Sequence, residues 1–259
     1  MTEDEAFPAD GDALPETPPR PQRWWIAGIA LAVAGALLAT FIPGLLPRER
    51  TGSGTGFVIA MGGYILTSAH VVRGATEITV HWSGRGYNAG IVTLNSDYDL
   101  ALLVCDSLPP VPAVAVAGGR PELGDPVTAV GHPGGTRHPT ARSTTVAGVG
   151  WWAVGADGNV LRDLVATDDP FRPGYSGSPL VNEAGHVVGI VTGSVTSGTG
   201  KQFGFAVSIQ QAAGWLAGRG MALSLESERP ASALREADLL SRVAPSVVRV
   251  ESRLPPGSP

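Results

Sequence analysis

The sequence predicts an all-β domain, a sandwich or a pair of barrels, behind one membrane-spanning helix. Three observations point there. Short apolar runs recur between Gly56 and Ser208, separated by Gly-rich turns. That is the pattern of many short strands, not of amphipathic helices. A long apolar run lies between Arg23 and Arg48 with no charge inside it. Charged residues are only 16% of the 259, and most of the net charge of −5 sits in residues 1–23, where Glu3, Asp4, Glu5, Asp10, Asp12 and Glu16 face only Arg20 and Arg23. The remainder is close to neutral, so no nucleic-acid partner is expected. Collagen and coiled-coil classes fail on composition.

Residues 1–23, rich in Pro and acids, read as a disordered cytoplasmic tail. Residues 24–46, from Trp24 to Leu46, read as a transmembrane helix that contacts the lipid bilayer, since about 20 apolar residues cover roughly 30 Å of hydrocarbon. Trp24 and Trp25 stand where an interfacial aromatic pair belongs. Ala34-Gly35-Ala36 has the small-residue form of a cleavage site. The segment before it is long and acidic, and the apolar run continues past it, so an uncleaved anchor is favoured. Two arginines flank each side of the span, so charge does not set the orientation. The character of residues 47–259 does, and they are placed outside the cytoplasm.

GFVIA, GYILTS and ATEITVHW open the strand series; in the last, Ile78, Val80 and Trp82 share a face by period two. LALLV, PVTAVG, VAGVGWWAV and VLRDLVAT come next, with Asp157-Gly158 as a hairpin signal between the last two. PLVNEAGHVVGIVTG reads as another hairpin, and QFGFAVS closes the series. SIQQAAGWLAGRG is the first soluble helix, capped by Ser208 and ended by glycine.

Two glycine-rich stretches resemble nucleotide loops and are set aside. GSGTGF (52–57) lacks the third glycine and the βαβ frame. GTGKQ has Gln202 where a magnesium-binding hydroxyl belongs and Val195 where the first glycine belongs. GYSGS around Ser176 misses the GxSxG elbow because Ser178 fills its last position. A single cysteine, Cys105, excludes a disulfide framework and a multi-cysteine metal site. His81, His132, His138 and His186 show no metal-ligand spacing. No cofactor and no metal is implied.

Three segments carry chemistry together. TSAHVV places His70 at a strand end, DYDLALLV places Asp99 before an apolar strand, and PGYSGSPLV places Ser176 in a glycine-flanked turn. A serine hydroxyl attacks well only when a base takes its proton. A neutral imidazole can take that proton and return it to a leaving group. The order His, Asp, Ser on an all-β background is that of chymotrypsin-like proteases. Through GSGTGFVI, GYILTSAHVV, SDYDLALL, LGDPVTAVGHPGG, PGYSGSPLVNEAGHVVGIVT and FGFAVS, residues 52 to about 218 resemble the HtrA/DegP branch of that family.

The resemblance implies a chymotrypsin-like double six-stranded β-barrel and a serine endopeptidase acting on polypeptide substrates, with a homo-oligomer left open. His70, Asp99 and Ser176 would be the triad. Asp97 is the rival carboxylate, but Asp99-Leu100-Ala101-Leu102 fits the family run. The N–H groups of Gly174 and Ser176 would form the oxyanion hole, and Gly174→Ala is expected to reduce turnover sharply with little loss of fold. Substrate would be framed by Pro170 to Pro173, by Thr192, Gly193 and Ser194, and by Gly204, Phe205 and Ala206. Pro170 stands where trypsin-like enzymes carry an acid, which implies a small or aliphatic P1 residue. Asp168 and Asp169 keep a basic preference open.

Tyr175 and Ser178 depart from the family run GNSGGP, and Ser178 threatens to crowd the strand behind the serine. These departures keep a second reading open, a pseudoprotease that binds extended peptides without cutting them. Family members begin with a helix and a strand of the form VAPSVVxIE before GSGxGF. Here that pattern stands at the other end, in ALREADLLSRVAPSVVRVE. A circular permutation is expected, with residues 237–252 supplying the first helix and strand; the alternative is that 237–259 begins a second domain or is a free tail. A PDZ domain is not expected.

Overall fold

The computed structural model describes residues 50–155, 158–226 and 233–255. The expected tail 1–23, the expected span 24–46 and Asp157 lie outside the described residues. Among the described residues no helix is long and apolar enough to cross a membrane.

The chain runs β1 (Arg50–Ala60), β2 (Tyr64–Ser68), α1 (Ala69–Val72), β3 (Glu77–Trp82), β4 (Arg85–Asn88), β5 (Gly90–Asn95) and β6 (Leu100–Val104). It continues through β7 (Val116–Ala117), β8 (Pro126–Gly131), β9 (Thr140–Val154), β10 (Val160–Thr167), β11 (Pro179–Val181), β12 (Val187–Thr196) and β13 (Gln202–Ser208). Helix α2 (Ile209–Ala217), β14 (Leu225–Glu226), α3 (Glu236–Val243) and β15 (Val247–Leu254) complete it. Ser208 caps α2 through its hydroxyl, which accepts from the Gln211 N–H at 3.3 Å.

Two sheets result. The first has the order β4-β3-β15-β1-β2-β6-β5. Its two ends are one bent segment, because only Ala89 separates β4 from β5 and its N–H reaches the Ile78 carbonyl at 3.0 Å. The second has the order β11-β8-β9-β10-β13-β12-β7-β14, with β11 also paired to β12. That extra pairing closes six strands into a ring, and closure removes the exposed edges an open sheet would leave.

Alternation builds the cores. In β3, Ile78 and Val80 are buried and turn inward with Val58, Ile65, Leu103, Val248 and Val250. Inside the second ring lie Val127, Ala129, Val165, Phe171, Tyr175, Leu180, Val191 and Ala206. A third cluster of Phe57, Leu66, Leu100, Leu164, Ile190, Phe205, Ile209 and Trp215 draws on both sheets and on α2. Each fully buried side chain of this size contributes about 1.5–3 kcal/mol.

Strand β15 lies in the middle of the first sheet. It pairs antiparallel with β1 from Arg50↔Leu254 to Phe57↔Val247 and with β3 from Arg249↔His81 to Arg253↔Glu77. The stretch 85–95, whose strands are largely exposed, carries no clean alternation, and the sequence gives no sign of β4 and β5.

Candidate active site

His70 sits on α1, a single turn that continues directly from β2. Ala69, Val71 and Val72 are buried in the first core, which leaves the imidazole as the exposed side of the turn. Asp99 leads into β6 with a left-handed backbone, φ +53°. A short polar side chain such as Asp tolerates that region better than most. The conformation turns the residue back on α1: the Asp99 carbonyl accepts from the Ala69 N–H at 3.0 Å, and Oδ1 accepts from the His70 N–H at 2.9 Å.

The other carboxylate oxygen, Oδ2, lies 2.8 Å from His70 Nδ1. A carboxylate only accepts, so His70 Nδ1 is the donor in this contact. The Thr192 hydroxyl donates to the same Oδ2. Asp99 is only 5% exposed, so its charge is held by these donors instead of by water. Asp97 is exposed on the preceding turn.

Ser176 stands between two left-handed glycines, Gly174 at φ +97° and Gly177 at φ +84°. Its carbonyl accepts from the Thr55 N–H at 2.8 Å, and the Thr55 hydroxyl donates to the Gly174 carbonyl at 2.7 Å. The turn Pro133–Gly135 braces the other side, with the Gly134 N–H donating to the Pro173 carbonyl at 2.8 Å. That bond turns the Pro173 carbonyl away, and the next N–H, on Gly174, is aimed the opposite way. Among the described residues neither the Gly174 nor the Ser176 N–H has an acceptor.

Thr192 joins the two halves. Its hydroxyl holds Asp99, and its carbonyl accepts weakly from Ser176 Oγ at 3.5 Å. The three sequence-predicted residues are therefore brought to one place. Thr192, expected in the substrate frame, also supports the carboxylate; its place in a strand after an apolar run gave no signal of that. Ser176 Oγ points to Thr192, and among the described residues His70 Nε2 has no hydrogen-bond partner.

The expected substrate frame divides by strand alternation. Ser194 ties back to Phe171, its hydroxyl accepting from the N–H at 2.7 Å and donating to the carbonyl at 3.1 Å. The Phe171 ring lies against Gly204, where a Cβ would come within 2.6 Å of it. Phe205 belongs to the opposite face. It packs in the cluster shared by both sheets and against Trp151 at 6.0 Å, so it does not line the Phe171 side. A Cβ on Gly193 would meet nothing within 4 Å, so the sheet face is uncovered there, and beyond Val191 β12 is ladder-paired to β13 alone. Asp168 pairs with Lys201 at 3.0 Å and Asp169 with Arg142 at 3.4 Å, so both acids are engaged at the surface.

The departures at 175 and 178 have structural places. Tyr175 is buried, tilted on Phe171 at 6.1 Å, and its hydroxyl meets Thr140 Oγ1 at 3.1 Å. Ser178 is fully buried, and its hydroxyl fills the space left by the absent side chain of Gly131. Among the described residues that hydroxyl has no hydrogen-bond partner, and neither does the buried His132 Nε2. Burial holds the His132 imidazole below the ordinary histidine pKa. The Thr136 carbonyl on Nδ1 opposes this, while Arg249, His138 and His81 add to it.

A model of the trypsin-like peptidase domain matches residues 54–190. The chain is 37% identical over 179 residues to the putative serine protease HhoA of Synechocystis sp., covering 64% of this chain and 43% of that protein. It is 32% identical over 180 residues to the serine protease Rv3671c of Mycobacterium tuberculosis, covering 68% and 44%. The crystal structure of Rv3671c in an inactive form aligns with TM-score 0.56 at 28% identity, over 68% of this chain and 90% of that one. The HtrA-type protease AlgW, solved with a decapeptide, aligns with TM-score 0.54 at 33% identity, over 61% and 49%. The chain spans about two fifths of the length of these curated relatives.

Proposed function

The chain belongs to the trypsin-like peptidase family, of the HtrA/DegP type, and from that premise we propose that it is a serine endopeptidase with His70, Asp99 and Ser176 as its triad. One observation carries the reading. The Asp99 carboxylate holds both the His70 imidazole and the Thr192 hydroxyl, while the Thr192 carbonyl touches Ser176 Oγ. Residues from three distant segments thereby share one small network.

In this mechanism Ser176 Oγ leaves Thr192, gives its proton to His70 Nε2 and attacks the peptide carbonyl. Asp99 stabilises the imidazolium that forms. The N–H groups of Gly174 and Ser176 receive the oxyanion, worth about 3–4 kcal/mol of barrier per donor in comparable sites. His70 then protonates the leaving amine, and water resolves the acyl-enzyme. An extended polypeptide would lie along β12 beyond Val191, where that strand is ladder-paired to β13 alone. The ring of Phe171 behind Gly204 favours a small or aliphatic P1 side chain. Residues 24–46 would anchor the enzyme in the bilayer with residues 1–23 in the cytoplasm and the peptidase outside it. Residues 237–252 are the family's first helix and strand, moved by permutation to the other end.

The missing His70 to Ser176 hydrogen bond favours a second reading, a peptide-binding pseudoprotease. A fluorophosphonate probe decides. The endopeptidase reading expects Ser176 to be modified in the wild type and the Ser176→Ala variant to stay unlabelled. A wild-type protein that folds, binds peptide and resists the probe would establish the pseudoprotease.

A further inference from the structure

We propose that Ser252, in the C-terminal strand, is a positioning residue for His70, so that the base is set in place only once β15 has inserted. This rests on the reading of His70 as general base.

Helix α1 cannot fix its own geometry. It is one turn, closed by the Arg73 N–H to the Ala69 carbonyl at 2.8 Å, and an isolated first turn is unfavourable. Its orientation is set by outside anchors. At its N-terminal end Asp99 takes the Ala69 and His70 N–H groups. At its C-terminal end the Ser252 hydroxyl donates to the Val71 carbonyl at 2.6 Å, in a buried contact. Ser252 is 2% exposed, so water does not replace this bond if the hydroxyl is removed.

The GSGTGF stretch makes room for it. Gly52 is the ladder partner of Ser252. A Cβ at Gly52 would lie 2.5 Å from Ser252 Oγ and 3.0 Å from the Val71 carbonyl. A Cβ at Gly54 would lie 2.7 Å from Val71 Cγ2 and 2.9 Å from the Ser176 carbonyl. These two glycines let α1 settle onto β1 and let the hydroxyl of β15 reach across. The turn that carries the imidazole is thus held between the carboxylate that leads into β6 and a hydroxyl of β15. Without the second anchor the turn pivots about Asp99, and a shift of about 1 Å in a reacting group costs on the order of a hundredfold in rate.

The test compares Ser252→Ala with Val247→Ala. Val247 is buried on the same strand in the cluster shared by both sheets, away from the core that holds α1. Three quantities are read in the full chain: the rate of Ser176 labelling by a fluorophosphonate, the thermal midpoint, and the downfield proton resonance of His70 Nδ1–H. Ser252→Ala should lower the labelling rate about a hundredfold and broaden the resonance. Val247→Ala should lose at least as much thermal stability and keep both signals. Equal labelling rates in Ser252→Ala and wild type, or losses that track the midpoint in both variants, would overturn the proposal. If the wild type itself does not label, the peptidase reading fails, and the resonance still decides the role of Ser252. Should Ser252→Ala not fold, Ser252→Cys keeps a donor at the position, a weaker one, and carries the same comparison.

Discussion

The two sheets treat their polar groups in opposite ways. In the first, the groups that hold His70 and Asp99 are matched: both carboxylate oxygens, the N-terminal N–H groups of α1 and the Val71 carbonyl all have partners. Around Ser176, in the second sheet, they are left open. The Gly174 and Ser176 N–H groups have no acceptor among the described residues, the serine hydroxyl makes one long bond, and Ser178 Oγ and His132 Nε2 have none. A group that must only be oriented is best fully bonded. Groups that must receive charge during a reaction must wait unpaired, and burying such groups is costly.

The sharpest way to break this contrast is Gly174→Ala. At φ +97° a new Cβ would lie 2.7 Å from the Gly134 nitrogen and 3.0 Å from Pro133 Cα, and closer still to the His132 carbonyl oxygen. All three are backbone and cannot yield cheaply. Turnover should fall about 10²–10³-fold, as the sequence suggested. The expectation that the fold would be spared is corrected: a loss of about 1–3 kcal/mol should appear in denaturant unfolding.

Thr192→Val tests the matched side. It removes one charge-assisted donor from Asp99 while keeping the side-chain shape and the backbone carbonyl. At about 1.5–3 kcal/mol for a bond to a charged group, the rate should drop roughly tenfold or more. Steady-state kinetics on an unfolded protein substrate would show it as a loss in kcat with KM nearly constant.

His132 makes the open side sensitive to acid. Its imidazole is held below the ordinary value of about 6.5 in the folded protein. The unfolded chain therefore binds more protons in the window just below that value. Stability from this group is complete above about pH 6.5 and declines as the pH falls through the window toward the lower folded pKa. The slope of unfolding free energy against pH should flatten in His132→Asn, measured by urea titration at a series of pH values.

The smallest effect belongs to Ser178→Gly. It removes an unpartnered buried hydroxyl, which stabilises, and adds backbone freedom, which destabilises. The two offset to within about 1 kcal/mol, and labelling of Ser176 should be unchanged. A large gain in either would mean that Ser178 obstructs the turn.

Much of this was legible in the chain. β2, β6, β8, β10 and β13 follow apolar runs, and α2 follows its cap and terminal glycine, because burial on one face imposes the period. His70, Asp99 and Ser176 were singled out from local segments, since each sits where a strand meets a turn. β4 and β5 were missed because exposed segments of a bent edge need no alternation. Phe205, expected in the substrate frame, packs in a different cluster from Ala206, because neighbours in a strand point opposite ways and only the register shows which way. Ser178 looked like an obstruction because the gap that receives it, at Gly131, lies 47 positions away in the chain.

Local sequence determined which groups could react and which stretches would be strands, since both follow from side-chain chemistry and the two-residue repeat of extended backbone. Tertiary structure decided what holds those groups still. Thr192 on Asp99, Thr55 on Gly174 and Ser252 on Val71 are contacts between segments far apart in the chain. No local pattern encodes them, because a hydrogen bond across a core depends on the packing of both sheets at once.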